Sequence, residues 1–232
     1  MLRYEEGRYD AAANGWRAVI ECAPDYDGGY VNLGMVYYML DRLADARAMF
    51  EKALELTGGK DYIVLSNLGA LYFDESRFAE AARLFERAVA IHDGDHAVWG
   101  NLGQAYAATN EPDKAERPFR RAIALAEQQR ASDPEDPFLI GQLASYHAML
   151  GEKRAAVELL EEAVALAPTD PNVLALIGET FEDAGERDRA LRWMGRALAG
   201  GVPPSRFTNR PSLRGLIDDP RFQSLLPEQP DQ

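Results

Sequence analysis

Apolar residues recur along this chain at the spacing of a helix, and the whole arrangement then repeats. We number each unit from 1 to 34, with the Leu of every Asn-Leu-Gly triplet at position 7. Positions 4, 7, 8 and 11 are then Tyr30, Leu33, Gly34 and Tyr37; Leu65, Leu68, Gly69 and Tyr72; Trp99, Leu102, Gly103 and Tyr106. Spacing of i, i+3, i+4, i+7 places these on one helical face, with polar positions between them. A second apolar set follows in each unit, an alanine at position 20 and a bulky residue at 24: Ala46 and Phe50, Ala81 and Phe85, Ala115 and Phe119. The position-20 alanines Ala12, Ala46, Ala81, Ala115, Ala156 and Ala190 stand 34, 35, 34, 41 and 34 residues apart. Each unit is therefore expected to be an antiparallel helix pair. Small residues at positions 8 and 20 let its helices approach closely. The turn between them falls at position 15, at Asp41, Ser76, Asn110, Gly151 and Gly185. Pro24 and Pro168 stop the second helix at position 32.

This frame divides the chain. A partial unit covers 1–26, and full units cover 27–60, 62–95, 96–136, 137–170 and 171–204. A C-terminal cap and tail make up 205–232. In the partial unit Gly7-Arg8-Tyr9-Asp10 is expected as the turn, with Tyr9 to Cys22 as the second helix. Its first helix would then be cut short, leaving Trp16, Val19 and Ile20 uncovered. A chain cut from a longer protein would explain this, and so would a homo-oligomer joined through the N-terminal helix. The insertion after the fourth unit predicts a second helix prolonged about two turns through Ala122–Arg130 and bent at Pro118. After Ala199 the period is lost. Asp219 before Pro220 predicts an N-cap with proline at the first helical position. Phe222, Leu225 and Leu226 share one face of the short helix that follows, which is expected to cap the second helix of the last unit.

Charge narrows the partners. Thirty-eight acidic residues against 25 basic give a net charge of −13. That is unsuited to neutralising phosphates, so nucleic acid is not expected, and a protein or peptide of neutral to basic character is. A single cysteine, Cys22, excludes an internal disulfide. The N-terminal residues lack an apolar signal segment, and no run approaches about 18 apolar residues, so no membrane span is expected and the chain is placed in the cytoplasm.

The spacing W-x2-L-G-x2-Y…A-x3-F with period 34 resembles the tetratricopeptide repeat (TPR). The three triplet-bearing units carry it almost in full. The later ones depart from it at Ala144, His147 and Met194, at positions 8, 11 and 24. The resemblance implies an all-α, right-handed superhelical solenoid of antiparallel helix pairs with a C-terminal capping helix. It also implies a protein-binding scaffold rather than an enzyme. The lengthened helix and the ending Asp219–Leu226 further resemble C-terminal repeat regions of bacterial multidomain signalling proteins. That implies, as an alternative, a regulatory or oligomerisation segment.

In such a superhelix the first helix of each unit faces a concave groove, lined by positions 2, 6, 9 and 13. From these and the flanking position 12 the candidate peptide-binding residues are Asn32, Met35, Tyr38, Met39, Asn67, Phe73, Asn101, Gln104, Gln142, Ser145 and Glu179. No Lys or Arg occupies positions 2, 6, 9 or 13, so the basic clamp of carboxylate-binding relatives is excluded. Asn32, Asn67, Asn101 and Gln142 form a row of amides, each able to pair with the N–H and C=O of an extended peptide. Alternatively, they are merely solvated or bond a neighbouring helix. Met35, Met39 and Met149 offer adaptable apolar contacts at a binding surface or, alternatively, fill gaps in the packing. Glu179, Glu182 and Asp183 make the C-terminal end of the groove acidic. His92-Asp93-Gly94-Asp95-His96 has metal-ligating residue types but falls in an inter-unit loop, so no metal is assigned. His147 occupies a packing position. With no nucleophile–base pair, no paired catalytic carboxylates and no glycine-rich cofactor loop, neither catalytic residues nor a cofactor is expected.

Overall fold

The structure, a computed structural model, describes residues 2–109, 111–208, 210 and 213–226. Every regular element among them is helical, and none is long and apolar enough to cross a membrane. The chain forms two compact units, residues 1–112 and 113–232.

The N-terminal unit contains α1 (Leu2–Cys22), α2 (Asp27–Met39), α3 (Leu43–Leu56), α4 (Tyr62–Asp74), α5 (Phe78–Ile91) and α6 (His96–Ala108). Helix α2 pairs with α3 and α4 with α5, and α4 also touches both α2 and α6. Glycine at position 8 makes the pairing close. A Cβ on Gly34 would lie 2.6 Å from the Phe50 ring, and one on Gly69 would lie 2.8 Å from Phe85. Both rings are buried in one core with Leu33, Leu68, Ala46 and Ala81.

The C-terminal unit contains α7 (Glu116–Arg130), α8 (Pro137–Met149), α9 (Lys153–Leu166), α10 (Pro171–Asp183) and α11 (Arg187–Ala199). The short helices α12 (Ser205–Thr208), α13 (Arg214–Ile217) and α14 (Pro220–Gln223) follow. Here Ala144 replaces the position-8 glycine, and Leu160 stands where Phe50 and Phe85 stand in the other unit. Both are buried in one cluster with Ile140 and Ala163. The extra methyl is accommodated because the facing side chain is smaller.

The mid-unit turn has one geometry wherever it is described. Asp41, Ser76, Gly151 and Gly185 all lie in the left-handed region, with φ of 57°, 60°, 73° and 79°. The next residue's N–H reaches five residues back in each case: Arg42 to Tyr37, Arg77 to Tyr72, Glu152 to His147 and Glu186 to Phe181. This is the Schellman closure of a helix C-terminus. Asn110 lies outside the described residues. The first helices α4, α6, α8 and α10 start at Asp61, Asp95, Asp136 and Asp170, and each carboxylate accepts two backbone N–H groups. Neighbouring pairs are also tied together. Arg87 of α5 donates to the carbonyl of Gly59, and Arg196 of α11 donates to that of Pro168, at 3.2 and 2.6 Å. Both acceptors lie just past the preceding second helix.

Three expectations need correction. Helix α1 runs unbroken through the turn placed at Gly7–Asp10. One interior glycine costs only about 1 kcal/mol and does not by itself break a helix. Pro118 is the third residue of α7, in the first turn, where an N–H has no intrahelical partner to lose, so the expected cause of a bend is absent. A 3-10 turn, Pro112–Lys114, occupies the place where the other second helices begin. The extension of α7 ends at Arg130, five residues past Leu125, the position equivalent to Leu56, Ile91 and Leu166. It is nearer one and a half turns than two. Arg130 does not project freely, because it pairs with Glu162 of α9 at 2.6 Å.

Beyond α11 the chain closes the end of its own unit. Val202, Phe207, Leu213, Leu216 and Phe222 are buried against Leu174, Ala175, Leu191, Met194 and Ala197. The cap thus covers residues of α10 as well as of α11. Asp219 caps α14 as expected, accepting the Arg221 N–H at 2.9 Å.

Candidate functional site

In the N-terminal unit the face opposite the packing stripe is open, and its character is apolar and amide-rich. Met35 and Met39, one turn apart on α2, are 39% and 56% exposed, and Ile63 at the start of α4 is 48% exposed. Ile63 belongs with the methionines as a third large apolar side chain on this face. Periodicity places it there but cannot rank it above its neighbours. Phe73 is half-buried and packs edge-on against Phe78, with ring centroids 5.1 Å apart. Tyr38 is half-buried and its hydroxyl donates to Asp74, so an acidic group on this face already has a partner.

The amides do not behave alike. Asn32 donates one N–H to the carbonyl of Gly28 in its own helix at 2.7 Å, leaving its second N–H and its oxygen for another molecule. Asn67 and Asn101 are half-buried and, among the described residues, make no side-chain hydrogen bond. Each therefore retains both a donor and an acceptor. Gln104 beside Asn101 on α6 is likewise half-buried. Within this unit the amide row has two complete rungs and one partial one.

The C-terminal unit differs. Gln142 of α8 is half-buried and makes no side-chain hydrogen bond among the described residues. Ser145, one turn on, is buried, which removes it from an open surface. Glu179 is only 3% exposed, and the cap takes both of its oxygens. Arg206 Nε donates to Oε1 at 3.0 Å, and Arg210 donates to Oε2. Glu179 is thus a buried anchor for the chain's own C-terminal segment and not an exposed groove carboxylate. Periodicity placed it on the face opposite the stripe, but a segment outside the period covers that face. Glu182 is held by Arg187 at 3.1 Å. Burial pushes Asp183 up to about 6, with Arg210 opposing and Glu179 and Glu182 adding to the rise. Of the three acidic residues at this end, Glu179 is committed to holding the cap and Glu182 to holding α11.

The remaining polar clusters have packing roles. Asp95 caps α6, His92 stacks on Tyr62 with centroids 4.5 Å apart, and the Asp93 carbonyl accepts from Trp99 Nε1 at 2.9 Å. Among the described residues no group of three or more His, Cys, Asp or Glu is placed to hold a metal ion. His147 lies 2.6 Å from Glu152. It occupies position 11, where Tyr37 and Tyr72 sit beneath Arg42 and Arg77. On α8 the aromatic–cation pair is thus replaced by a histidine–carboxylate pair, whereas α10 keeps an aromatic there, Phe181 beneath Arg189. Hydrogen bonds from His147 and Arg120 hold Glu152 below the usual carboxylate range. Tyr106 is pushed up to about 12 by burial and by its bond to Glu86.

The sequence pattern of the tetratricopeptide repeat family matches residues 25–94 and 61–128. Among curated proteins none matches. Among solved structures, TTC0263 of Thermus thermophilus, a thermophilic TPR protein, is 23% identical with a TM-score of 0.58, covering 81% of this chain and 98% of that one. YrrB, described as a TPR protein with an unusual peptide-binding site, is 22% identical with a TM-score of 0.51, covering 82% and 94%. The Cut9–Hcn1 structure of the APC/C is 15% identical with a TM-score of 0.63, covering 95% of this chain but 39% of that one. At these identities the likeness is one of fold.

Proposed function

From the match of residues 25–128 to the tetratricopeptide repeat, we propose that the chain is a non-catalytic scaffold that holds an extended peptide segment across α2, α4 and α6. The observation that carries this reading is the pair Asn67 and Asn101. Both amides lack an intramolecular hydrogen-bond partner among the described residues, and both lie on the face that exposes Met35, Met39 and Ile63. Amides read the main chain of a ligand whatever its sequence, while the methionines and Ile63 accept its apolar side chains. Cationic positions are missing from this face and the chain carries a net charge of −13, which favours a neutral to basic ligand. YrrB's described peptide-binding site is a precedent on a similar fold.

An array of random nonapeptides tests this. The tightest member should lose affinity by about tenfold or more in Asn67→Ala/Asn101→Ala, with the unfolding midpoint unchanged. Equal affinity in the variant removes the amide rungs from the reading.

The alternative is a regulatory or oligomerisation segment of a larger signalling protein, acting through α1. Trp16, Val19 and Ile20 on that helix are only partly covered. On this alternative Trp16→Glu converts a dimer to a monomer in light scattering. A wild-type monomer sinks its oligomerisation branch.

A further inference from the structure

Resting on the groove reading above, we propose that Met35 and Met39 are an oxidation site through which peroxides switch off ligand binding at α2. The chain has six methionines, and their surroundings differ sharply. Met194 of α11 is fully buried against Gly178 of α10, in one cluster with cap residues; Met49 is partly buried against the N-terminal core, and Met149 is partly buried. Met35 and Met39 are the two exposed ones among the described residues. They lie at i and i+4 on one helix, so both thioethers point to the same side. That side is the one carrying Ile63 and the unpartnered amides of Asn67 and Asn101.

The chemistry is a two-electron transfer of one oxygen atom. A thioether sulfur attacks the peroxide, the O–O bond breaks, and an S–O bond forms. The products are a methionine sulfoxide and water, or an alcohol from an organic peroxide. Sulfur is oxidised and peroxide oxygen reduced. Each event turns a flexible apolar side chain into a polar one with a strong acceptor oxygen. Two such groups side by side turn two of the three exposed large apolar side chains of this face, Met35, Met39 and Ile63, into polar ones. Apolar side chains of a ligand gain nothing by desolvating them. Methionine sulfoxide reductases return the thioether at the expense of a dithiol, which is oxidised to a disulfide while the oxygen leaves as water, and this makes the site reversible.

The test uses the whole chain, graded hydrogen peroxide, peptide mass mapping and affinity for the tightest nonapeptide from the array. Sulfoxide is expected first at Met35 and Met39 and last at Met194. Affinity should fall about tenfold or more as those two sites fill. Treatment with sulfoxide reductases should restore it. In Met35→Leu/Met39→Leu, which keeps the apolar volume, the same dose should leave affinity unchanged. Oxidation that proceeds equally at Met35, Met39 and Met194 overturns the proposal. So does full sulfoxide at the pair with unaltered affinity. If no array peptide binds the untreated protein, the groove reading fails, and the proposed switch fails with it. The reductase arm needs no variant, so the proposal is still decided if the leucine pair binds poorly.

Discussion

The helix pairs α4–α5 and α10–α11 occupy equivalent places in the repeat, yet their first helices face different surroundings. On α4 the face opposite the packing stripe is open, with Ile63 exposed and Asn67 unpartnered. On α10 the chain's own C-terminal segment covers position 9. Glu179 is buried there with Arg206 and Arg210 on its two oxygens. Repeat position fixes which way a side chain points. Whether that direction leads to solvent depends on what the neighbouring chain does, and here a non-repeating segment decides it.

The largest expected effect comes from uncapping α10–α11. Phe222→Ala removes a fully buried ring and should lower stability by about 3–4 kcal/mol in urea unfolding. Hydrogen exchange of α10 and α11 should accelerate, while α4 and α5 stay protected. Equal acceleration in α4 and α5 would erase the contrast between the two pairs. Next is the position-8 contact. Gly69→Ala forces a methyl onto Phe85 and should cost about 2–3 kcal/mol. Adding Phe85→Leu, which copies Ala144 with Leu160, should recover about half. A double variant no better than the single would show that the two pairs pack by different rules.

The ionisable groups under the cap give a pH signature of somewhat smaller size. Asp183 binds its proton more tightly folded than unfolded, with a folded value of about 6 against an ordinary 3.8. Its contribution therefore favours folding at low pH. It is lost progressively as pH rises through that window, by about 1–2 kcal/mol. Asp219 runs the other way. Bonds from Arg221 lower it to about 2, so its contribution is present above its ordinary value and lost below it. Between pH 4.5 and 6.5 the difference between wild type and Asp183→Asn in denaturant unfolding isolates Asp183. Identical slopes for the two proteins would remove burial of Asp183 from the account of the cap. The smallest effect is at the turns. Ser76 adopts φ of 60° where Gly151 and Gly185 stand in the later pairs, so Ser76→Gly should raise stability by about 0.5–1 kcal/mol. A fall would mean that the serine side chain contributes more than the backbone conformation costs.

Much of this architecture is legible in the sequence because it is local. Period, turn position and the close approach of the paired helices at positions 8 and 20 follow from spacing and size alone, and Asp219 before Pro220 announces its helix directly. What escaped is non-local or statistical. Glu179 reads as an exposed position until Arg206 and Arg210, some thirty residues on, return to cover it. Gly7 reads as a turn because the repeat frame demands one, yet the helical run on either side carries it through. Ser145 fits the groove pattern by number, but packing buries it. Asn32, Asn67 and Asn101 are indistinguishable as letters. Only coordinates reveal that Asn32 has already donated to Gly28.

The arginines at position 26 close the array backwards. Arg87 finishes the backbone left open at Gly59, and Arg196 finishes the one at Pro168, so these closures are supplied by the pair that comes later in the chain. Arg47 and Arg130 reach forwards instead, from an earlier pair to the carboxylates of Glu75 and Glu162 in a later one. Deleting a later pair thus strands a backbone carbonyl, whereas deleting an earlier one strands a carboxylate. Nearest-neighbour coupling is in this sense two-way, with a different chemical group left open on each side of a cut.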